Sequence, residues 1–356
     1  MKTLDWDIPY SVEEGKNSYT ISVAEQILKS NPSKAKIFRQ VFRKAAYCSS
    51  CTVCAGHCRH GCISFATGKV KIADCKHCMA CHDIPGGCLI YDSLKIPTGG
   101  GNVRSINSLG AHSPKTEWLE AFFQGKDDFF NENALAAPQL LKFKLFLHDA
   151  GLIDKVHLTA FGELICDIGW STEIAWGLIL TNLAAENPQL AWYIQKMEIG
   201  ASYSRKNLID MLQIEGLKER PSELVATAYR RIVSTPLGTV LNFGYVSEDG
   251  SLCRTKCVLS DARVFLYGLF KFAEKCGDYK AFTLSTLLND TIERDGISPT
   301  RIFGVTREEA EPMLRGLSAK YPDFVDVSFT HDLEKITLAE DRSSADVLEL
   351  FRNEEV

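Results

Sequence analysis

Cys48-Ser49-Ser50-Cys51-Thr52-Val53-Cys54-Ala55-Gly56-His57-Cys58 and Cys75-Lys76-His77-Cys78-Met79-Ala80-Cys81, with Cys88 after six intervening residues, decide how this chain is read. With Cys62, nine of the 13 cysteines fall between positions 48 and 88; Cys166, Cys253, Cys257 and Cys276 are scattered and read as reduced core or surface thiols. The chain opens Met1-Lys2-Thr3-Leu4-Asp5-Trp6-Asp7, without the apolar stretch that an export signal needs. A cytoplasmic location is therefore expected. In that reducing compartment a dense cysteine block is expected to ligate metal rather than form disulfides.

The spacing narrows the metal. A cubane cluster needs four thiolates at tetrahedral corners. A tight loop with cysteines two residues apart supplies three corners, and a cysteine from elsewhere supplies the fourth. Two such triplets resemble the ferredoxin pattern, in which the fourth cysteine of each run crosses to the other cluster. Carried onto this sequence, the pattern implies two [4Fe–4S] clusters. Cys48, Cys51, Cys54 and Cys88 would hold one, and Cys75, Cys78, Cys81 and Cys58 the other. Ile63-Ser64-Phe65-Ala66 and Lys69-Val70-Lys71-Ile72, flanking Thr67-Gly68, read as the hairpin between the two loops. Two features depart from the pattern. Arg59 and Leu89 stand where proline usually follows the crossing cysteine, and His82 to Gly87 stretch the second run. Cys62 is supernumerary: a filler, a substitute ligand or a thiol that handles sulfur. Zinc is the competing metal, but zinc sites use cysteine pairs rather than two successive triplets. His57, His60, His77 and His82 read as loop residues.

Outward from this block, residues 1–47 read as a helical lead-in, with a short helix from Val23 to Leu28. A second, basic helix runs from Lys34 to Ala46 after the break Asn31-Pro32-Ser33. Residues 48–96 form the ferredoxin-like domain. Residues 97–110, beginning Pro97-Thr98-Gly99-Gly100-Gly101, form a glycine-rich linker. Residues 111–240 read as helical. Gln139 to Ala150 is an amphipathic helix ended by Gly151, and Leu152 to Ile165 adds an extended piece and a Thr-initiated helix, a helix-turn-helix-like plan. Further helices are expected near 172–185, 204–213 and 222–234. In residues 241–340 a hairpin turns at Glu248-Asp249-Gly250, and helices follow at Asp261–Lys275 and Leu284–Asn289. A third helix opens on the capping box Thr306-Arg307-Glu308-Glu309, and strands around His331-Asp332-Leu333 complete a winged-helix-like domain. Residues 341–356 read as a tail. The fold class expected is α+β: a small ferredoxin-like domain, then a mainly α-helical region with winged-helix elements.

The formal net charge is −5, unevenly spread. Residues 1–110 carry 14 Lys+Arg against 8 Asp+Glu, and the remainder is acidic. No apolar run is long enough to span a membrane. A P-loop, a nucleophile elbow and an HExxH motif are all missing. His148, His157, Asp167, Glu173 and Asp210 are isolated polar residues with structural roles as the default. The third helix of the C-terminal plan presents Glu308, Glu309 and Glu311 beside Arg307, Arg315 and Lys320, a poor surface for phosphate.

Two wider resemblances follow from particular segments. Ser22 to Pro97, with Asn31-Pro32-Ser33-Lys34-Ala35-Lys36, the cysteines and Gly86-Gly87-Cys88-Leu89, resembles the ferredoxin-like tail of some phosphoadenosine-phosphosulfate (PAPS) reductase-like proteins. Ala111 to Ala339 resembles an uncharacterised family encoded beside such reductases. The cues are Leu158-Thr159-Ala160-Phe161-Gly162-Glu163, Trp176-Gly177-Leu178, Ala191-Trp192, Tyr203 to Leu208 and Ser298 to Phe303. The stretch from His112 to Trp118 departs from that family's usual opening. The family sits in bacterial DNA phosphorothioation and phage-defence loci, and its Ssp-type B component is associated with DNA nicking. The resemblance implies DNA as a partner. It also implies a PAPS-reductase-like ATP pyrophosphatase, a cysteine desulfurase and an ATPase. No nicking residue maps onto this chain, and catalytic residues stay unassigned. The leading expectation is an iron–sulfur component that binds DNA and passes electrons or sulfur to the ATP-dependent partner. An electron-transfer subunit without DNA binding and an iron–sulfur winged-helix transcription regulator stand beside it.

Overall fold

The computed structural model describes residues 10–14, 19–23, 52–66, 69–76, 106–289, 295–330 and 333–353. The chain is α+β, with small antiparallel sheets among many helices. It divides into two compact units, Met1–Asn102 with Gly277–Tyr279, and Val103–Cys276 with Lys280–Val356. Among the described residues no helix is long and apolar enough to cross a membrane.

In the first unit, β1 (Tyr10–Glu14) pairs antiparallel with β2 (Tyr19–Val23). Val23 thus ends a strand instead of opening a helix. The rest of that expected helix, and the basic helix Lys34 to Ala46, lie outside the described residues. A one-turn helix α1 (Val53–Gly56) leads to the hairpin of β3 (Ile63–Ala66) and β4 (Lys69–Ile72), whose register pairs Ile63 with Ile72 and Ala66 with Lys69. β-branched residues alternating with polar ones suit that two-stranded ribbon.

The second unit begins with α2 (Thr116–Gly125), continued by a 3-10 turn at Lys126–Phe130, and α3 (Ala137–Asp149). Gly151 ends α3 at φ +78°, and the Leu152 amide returns to the Leu147 carbonyl, a left-handed stop that glycine adopts freely. A two-residue ladder of β5 (Ile153–Asp154) and β6 (His157–Leu158) then delivers Thr159 as the N-cap of α4 (Ala160–Ile168), its hydroxyl accepting from the Gly162 amide at 3.0 Å.

Next come α5 (Glu173–Glu186) and α6 (Pro188–Lys196). Every residue of α5 from Ala175 to Ala184 is buried, so this helix is the axis of the core. Helices pack close to it because Gly177 has no Cβ: one there would sit 2.7 Å from Val264 Cγ1 of α10 (Ala262–Lys275). Its buried Asn182 is satisfied, donating to the Ala150 carbonyl at 3.0 Å and accepting from the Tyr267 hydroxyl at 2.6 Å. Asn187 caps α6 through the Gln189 and Leu190 amides and donates to buried Asp149 at 2.8 Å.

Beyond α6 lie β7 (Ser202–Tyr203), α7 (Arg205–Ile214), α8 (Glu219–Ile232), α9 (Pro236–Thr239), β8 (Gly244–Val246) and β9 (Leu252–Arg254), with sheet order β7-β9-β8. After α10 the elements are β10 (Ala281–Phe282), α11 (Leu284–Leu288), α12 (Pro299–Phe303), α13 (Arg307–Lys320), β11 (Val325–Thr330) and β12 (Leu333–Leu338). Their sheet runs β10-β12-β11, all antiparallel. The final stretch, read from sequence only as a tail, carries α14 (Ser344–Asn353), which buries Val347 and Phe351 in the common core.

The C-terminal end of α6 is held by two guanidiniums. Arg254, fully buried, donates to the Ile194, Met197 and Arg301 carbonyls. Arg301 donates to Ile194 at 2.9 Å, Gln195 at 2.9 Å and Met197 at 3.2 Å, and pairs with Glu198 at 3.0 Å. Terminal carbonyls lack helical partners and gather negative charge, so cations are favoured there. Burial, with Arg301 alongside, lowers the Arg254 guanidinium to about 10, which still leaves it charged at neutral pH.

Candidate functional site

Of the eight cysteines expected as ligands, Cys54, Cys58 and Cys75 lie among the described residues, and Cys48, Cys51, Cys78, Cys81 and Cys88 lie outside them. Cys54 sits on α1, half-buried; Cys58 follows it, also half-buried; Cys75 is exposed just past β4. Among the described residues no three His, Cys, Asp or Glu side chains gather closely enough to hold a metal ion.

The hairpin nevertheless joins the two cysteine runs. The Ala73 amide donates to the Cys62 carbonyl at 2.9 Å, extending the β3–β4 ladder by one rung. That rung closes the strands next to Cys58 on one side and Cys75 on the other. The Cys62 amide donates to Cys58 Sγ at 3.2 Å, and the Cys62 thiol donates to the Asp74 carbonyl at 3.3 Å. Amides at His60 and Cys62 pull the Cys58 thiol below its ordinary range, because N–H donors favour the thiolate. Burial pushes Cys62 the other way, and the charges of Cys58 and Cys75 both add to that rise. The two neighbouring thiols are thus shifted in opposite directions, Cys58 toward the thiolate and Cys62 toward the thiol.

The loop backbone is turned at unusual points. Thr52, next after Cys51, has φ +63°, and Asp74, next before Cys75, has φ +51°. Left-handed φ is costly for side chains with a Cβ, most of all a β-branched one. The chain holds Thr52 within the first cysteine run and Asp74 just before the second, each at a tight reversal of the backbone. Thr52 O accepts from the Ala55 and Gly56 amides at 2.9 and 3.2 Å, which fixes that reversal.

The remaining polar residues named from sequence do local work. His157 Nδ1 and Asp127 Oδ2 are 3.0 Å apart, and this contact, with the Leu158 amide, lowers the Asp127 carboxyl. His148 lies 3.4 Å from Asp149, and Glu173 accepts from the Ser260 hydroxyl. Asp167 and Asp210 are exposed on α4 and α7. No pair of them forms a nucleophile with its base.

On α13 two of the three cations, Arg307 and Arg315, are matched by carboxylates. Arg307 pairs with Glu334, Arg315 with Glu311 at 2.8 Å, and Glu309 with Lys256 of the loop after β9. Arg315 also covers the Phe329 ring, 5.1 Å from its centroid, and Lys320 covers Tyr321 at 4.9 Å. A face so neutralised has little left for phosphate. Sequence reasoning missed a different surface, a cleft lined by Lys115, Arg205, Arg230 and Arg231. Its cations come from three separated segments, and no local motif announces them.

Comparison of the chain with family models, with curated proteins and with solved structures finds no match.

Proposed function

We propose that this chain is an iron–sulfur component of a bacterial DNA phosphorothioation and phage-defence system. In this reading Cys48, Cys51, Cys54 and Cys88 hold one [4Fe–4S] cluster, and Cys75, Cys78, Cys81 and Cys58 hold the other. The observation that carries the reading is the hairpin rung from Ala73 to Cys62, which ties the end of one cysteine run to the start of the next. The donor chemistry fits as well: Cys58 Sγ receives amide hydrogen bonds, the outer-shell contact that favours a thiolate ligand and tunes a cluster. When bound, such clusters supply one-electron transfer. The chain's own residues present thiolates, brace them with amides and close the loops around them. Electrons or sulfur would pass to a PAPS-reductase-like ATP-dependent partner, with a cysteine desulfurase and an ATPase in the same system.

The order helix, strand, helices and hairpin, with the sheet arranged β10-β12-β11, supports a winged-helix reading of residues 262–338. Fold alone does not give DNA binding. The paired charges of α13 favour a second reading, an electron-transfer subunit whose C-terminal elements dock a protein and not DNA.

The test is anaerobic purification of the full chain with iron and sulfide analysis. About eight of each per chain, with brown colour and a paramagnetic signal on reduction, is expected for two clusters. Colourless protein that carries zinc would end the iron–sulfur proposal.

A further inference from the structure

The start of α2, the start of α7, the end of α8 and β8 enclose an open cleft of about 640 Å³. Its charged lining is Lys115, Arg205, Arg230 and Arg231 against one carboxylate, Glu117. Among the described residues none of the four cations forms an ion pair. Each has a neutral partner instead. Arg205 donates to the Thr227 hydroxyl at 3.1 Å, Arg230 to the Gly250 carbonyl and Arg231 to the Ala111 carbonyl, while Lys115 lies 5.6 Å from the Trp118 ring centroid. These contacts fix the side chains without cancelling their charge. A guanidinium has five N–H donors, so most remain for a ligand.

The positions of the cations argue for a ligand more strongly than their number. Arg230 and Arg231 occupy the last turn of α8, where a cation stabilises the helix on its own account. Lys115 is the N-cap of α2 and Arg205 the first residue of α7, where a cation opposes the helix dipole. Helix stability would select the opposite sign at both. Lys115 also makes no side-chain cap, so the first amides of α2 add to the positive field of the cleft.

We propose that this cleft binds the phosphodiester backbone of a nucleic acid without reading its base sequence. The ligand is an extended polyanion because the cations are distributed over three segments around an open cleft. Phosphate oxygens match fixed guanidiniums held by neutral partners. The Thr116, Thr227 and Ser234 hydroxyls of the lining already donate to the Ser234, Glu223 and Arg230 carbonyls, so what the cleft offers a ligand is chiefly charge. This deepens the DNA limb of the proposed function and moves it from α13 to the opening of α2 and α7.

The experiment is fluorescence anisotropy of the anaerobically purified full chain with labelled single-stranded and duplex DNA across a salt series. Four phosphate contacts give a log–log salt slope of about −3 for single strands and nearer −4 for duplex. K115Q/R205Q should weaken binding about tenfold or more and reduce the slope by about 2. R315Q on α13 should bind as the parent does. Circular dichroism and iron content, unchanged in the double variant, exclude misfolding; removing two helix-start cations should not lower stability. Parent-like binding by K115Q/R205Q would overturn the cleft and leave DNA binding to another surface. Failure of the parent to bind either DNA would overturn both the cleft and the DNA limb, with the cluster proposal untouched. Inorganic tripolyphosphate displacing DNA far below the charge-equivalent concentration of chloride would overturn the polyanion in favour of a small-anion site. A preference beyond about threefold among unrelated sequences would overturn the absence of base reading.

Discussion

The cysteine-bearing segment and the helical body are specified by different physics. Among the residues between 52 and 76 whose burial is described, Cys62 alone is buried, and Ile72 of β4 stays 63 % exposed. The body is the reverse, with a continuous core through α5, α10 and α14 and few residues with an evident chemical task. One region carries the expected ligands and, among its described residues, little apolar burial; the other has burial and little chemistry. Where burial is small, folding free energy must come from elsewhere, and on the iron–sulfur proposal the clusters would supply it, as metal does in small metal-binding domains.

On the iron–sulfur proposal the largest effect should therefore follow from removing the clusters. Treatment of the native chain with oxidant and chelator is expected to open residues 48–88 to proteolysis while the helical body keeps its cooperative melting. Mapping the cuts by mass spectrometry alongside calorimetry checks this. Loss of the body's transition together with the metal would break the contrast, because it would make the body depend on the cluster region for stability.

The converse perturbation is Arg254→Ala. It leaves the Ile194 and Met197 carbonyls at the end of α6 short of donors inside the core, and Arg301 has to serve alone. Under-satisfied buried acceptors together with a lost large side chain cost about 3 kcal/mol, or roughly 6–12 °C for a body of this size. Iron content should not change. A variant as stable as the parent would mean that Arg254 is no keystone of the body.

The two regions also differ in how far their sequence could be read. The cysteine runs give rise to an expectation through spacing, which is local and independent of tertiary structure, and five of the eight expected ligands lie outside the described residues. In the body, several helix boundaries were legible from their caps: Thr159 opens α4, Asp261 opens α10, Ser204 opens α7, and Thr306 with Glu309 opens α13, whereas α6 behind Asn187 and α12 behind Ser298 went unread. The N-terminal β1–β2 hairpin went unread because Gly15-Lys16-Asn17-Ser18 between its strands lacks a two-residue turn signal. α14 was missed because its charged residues hide the few apolar ones, Val347 and Phe351, that bury it. Arg254 and Arg301, 47 positions apart, meet on one helix end, and the cleft cations converge from 115, 205 and 230–231. Sequence periodicity carries no record of such long-range convergence, and charge there reads as ordinary solvated surface until the fold is known.

The smallest effect concerns acid stability of the C-terminal elements, where the contrast is between paired charge on α13 and unpaired charge in the cleft. Glu334 of β12 accepts from Arg307, the Ser285 amide at 2.9 Å and the Ser285 hydroxyl at 2.8 Å, which hold its carboxyl down at about 2. A carboxylate lowered on folding binds its proton more tightly in the unfolded chain. Its stabilisation is complete above the unfolded value near 4.5 and is lost as pH falls from there through about 2. Glu309, lowered by Lys256 and the Thr306 amide, acts in the same direction. The chain should lose stability progressively across that window. Glu334→Gln should cost about 1 kcal/mol or less at pH 7, because its Arg307 partner is partly exposed, and the difference from the parent should vanish toward pH 2. Urea titrations of both proteins at a series of pH values measure the gap. A gap that persists at pH 2 would assign the effect to packing of the side chain, and the ion pair that neutralises the start of α13 would then lose its energetic role.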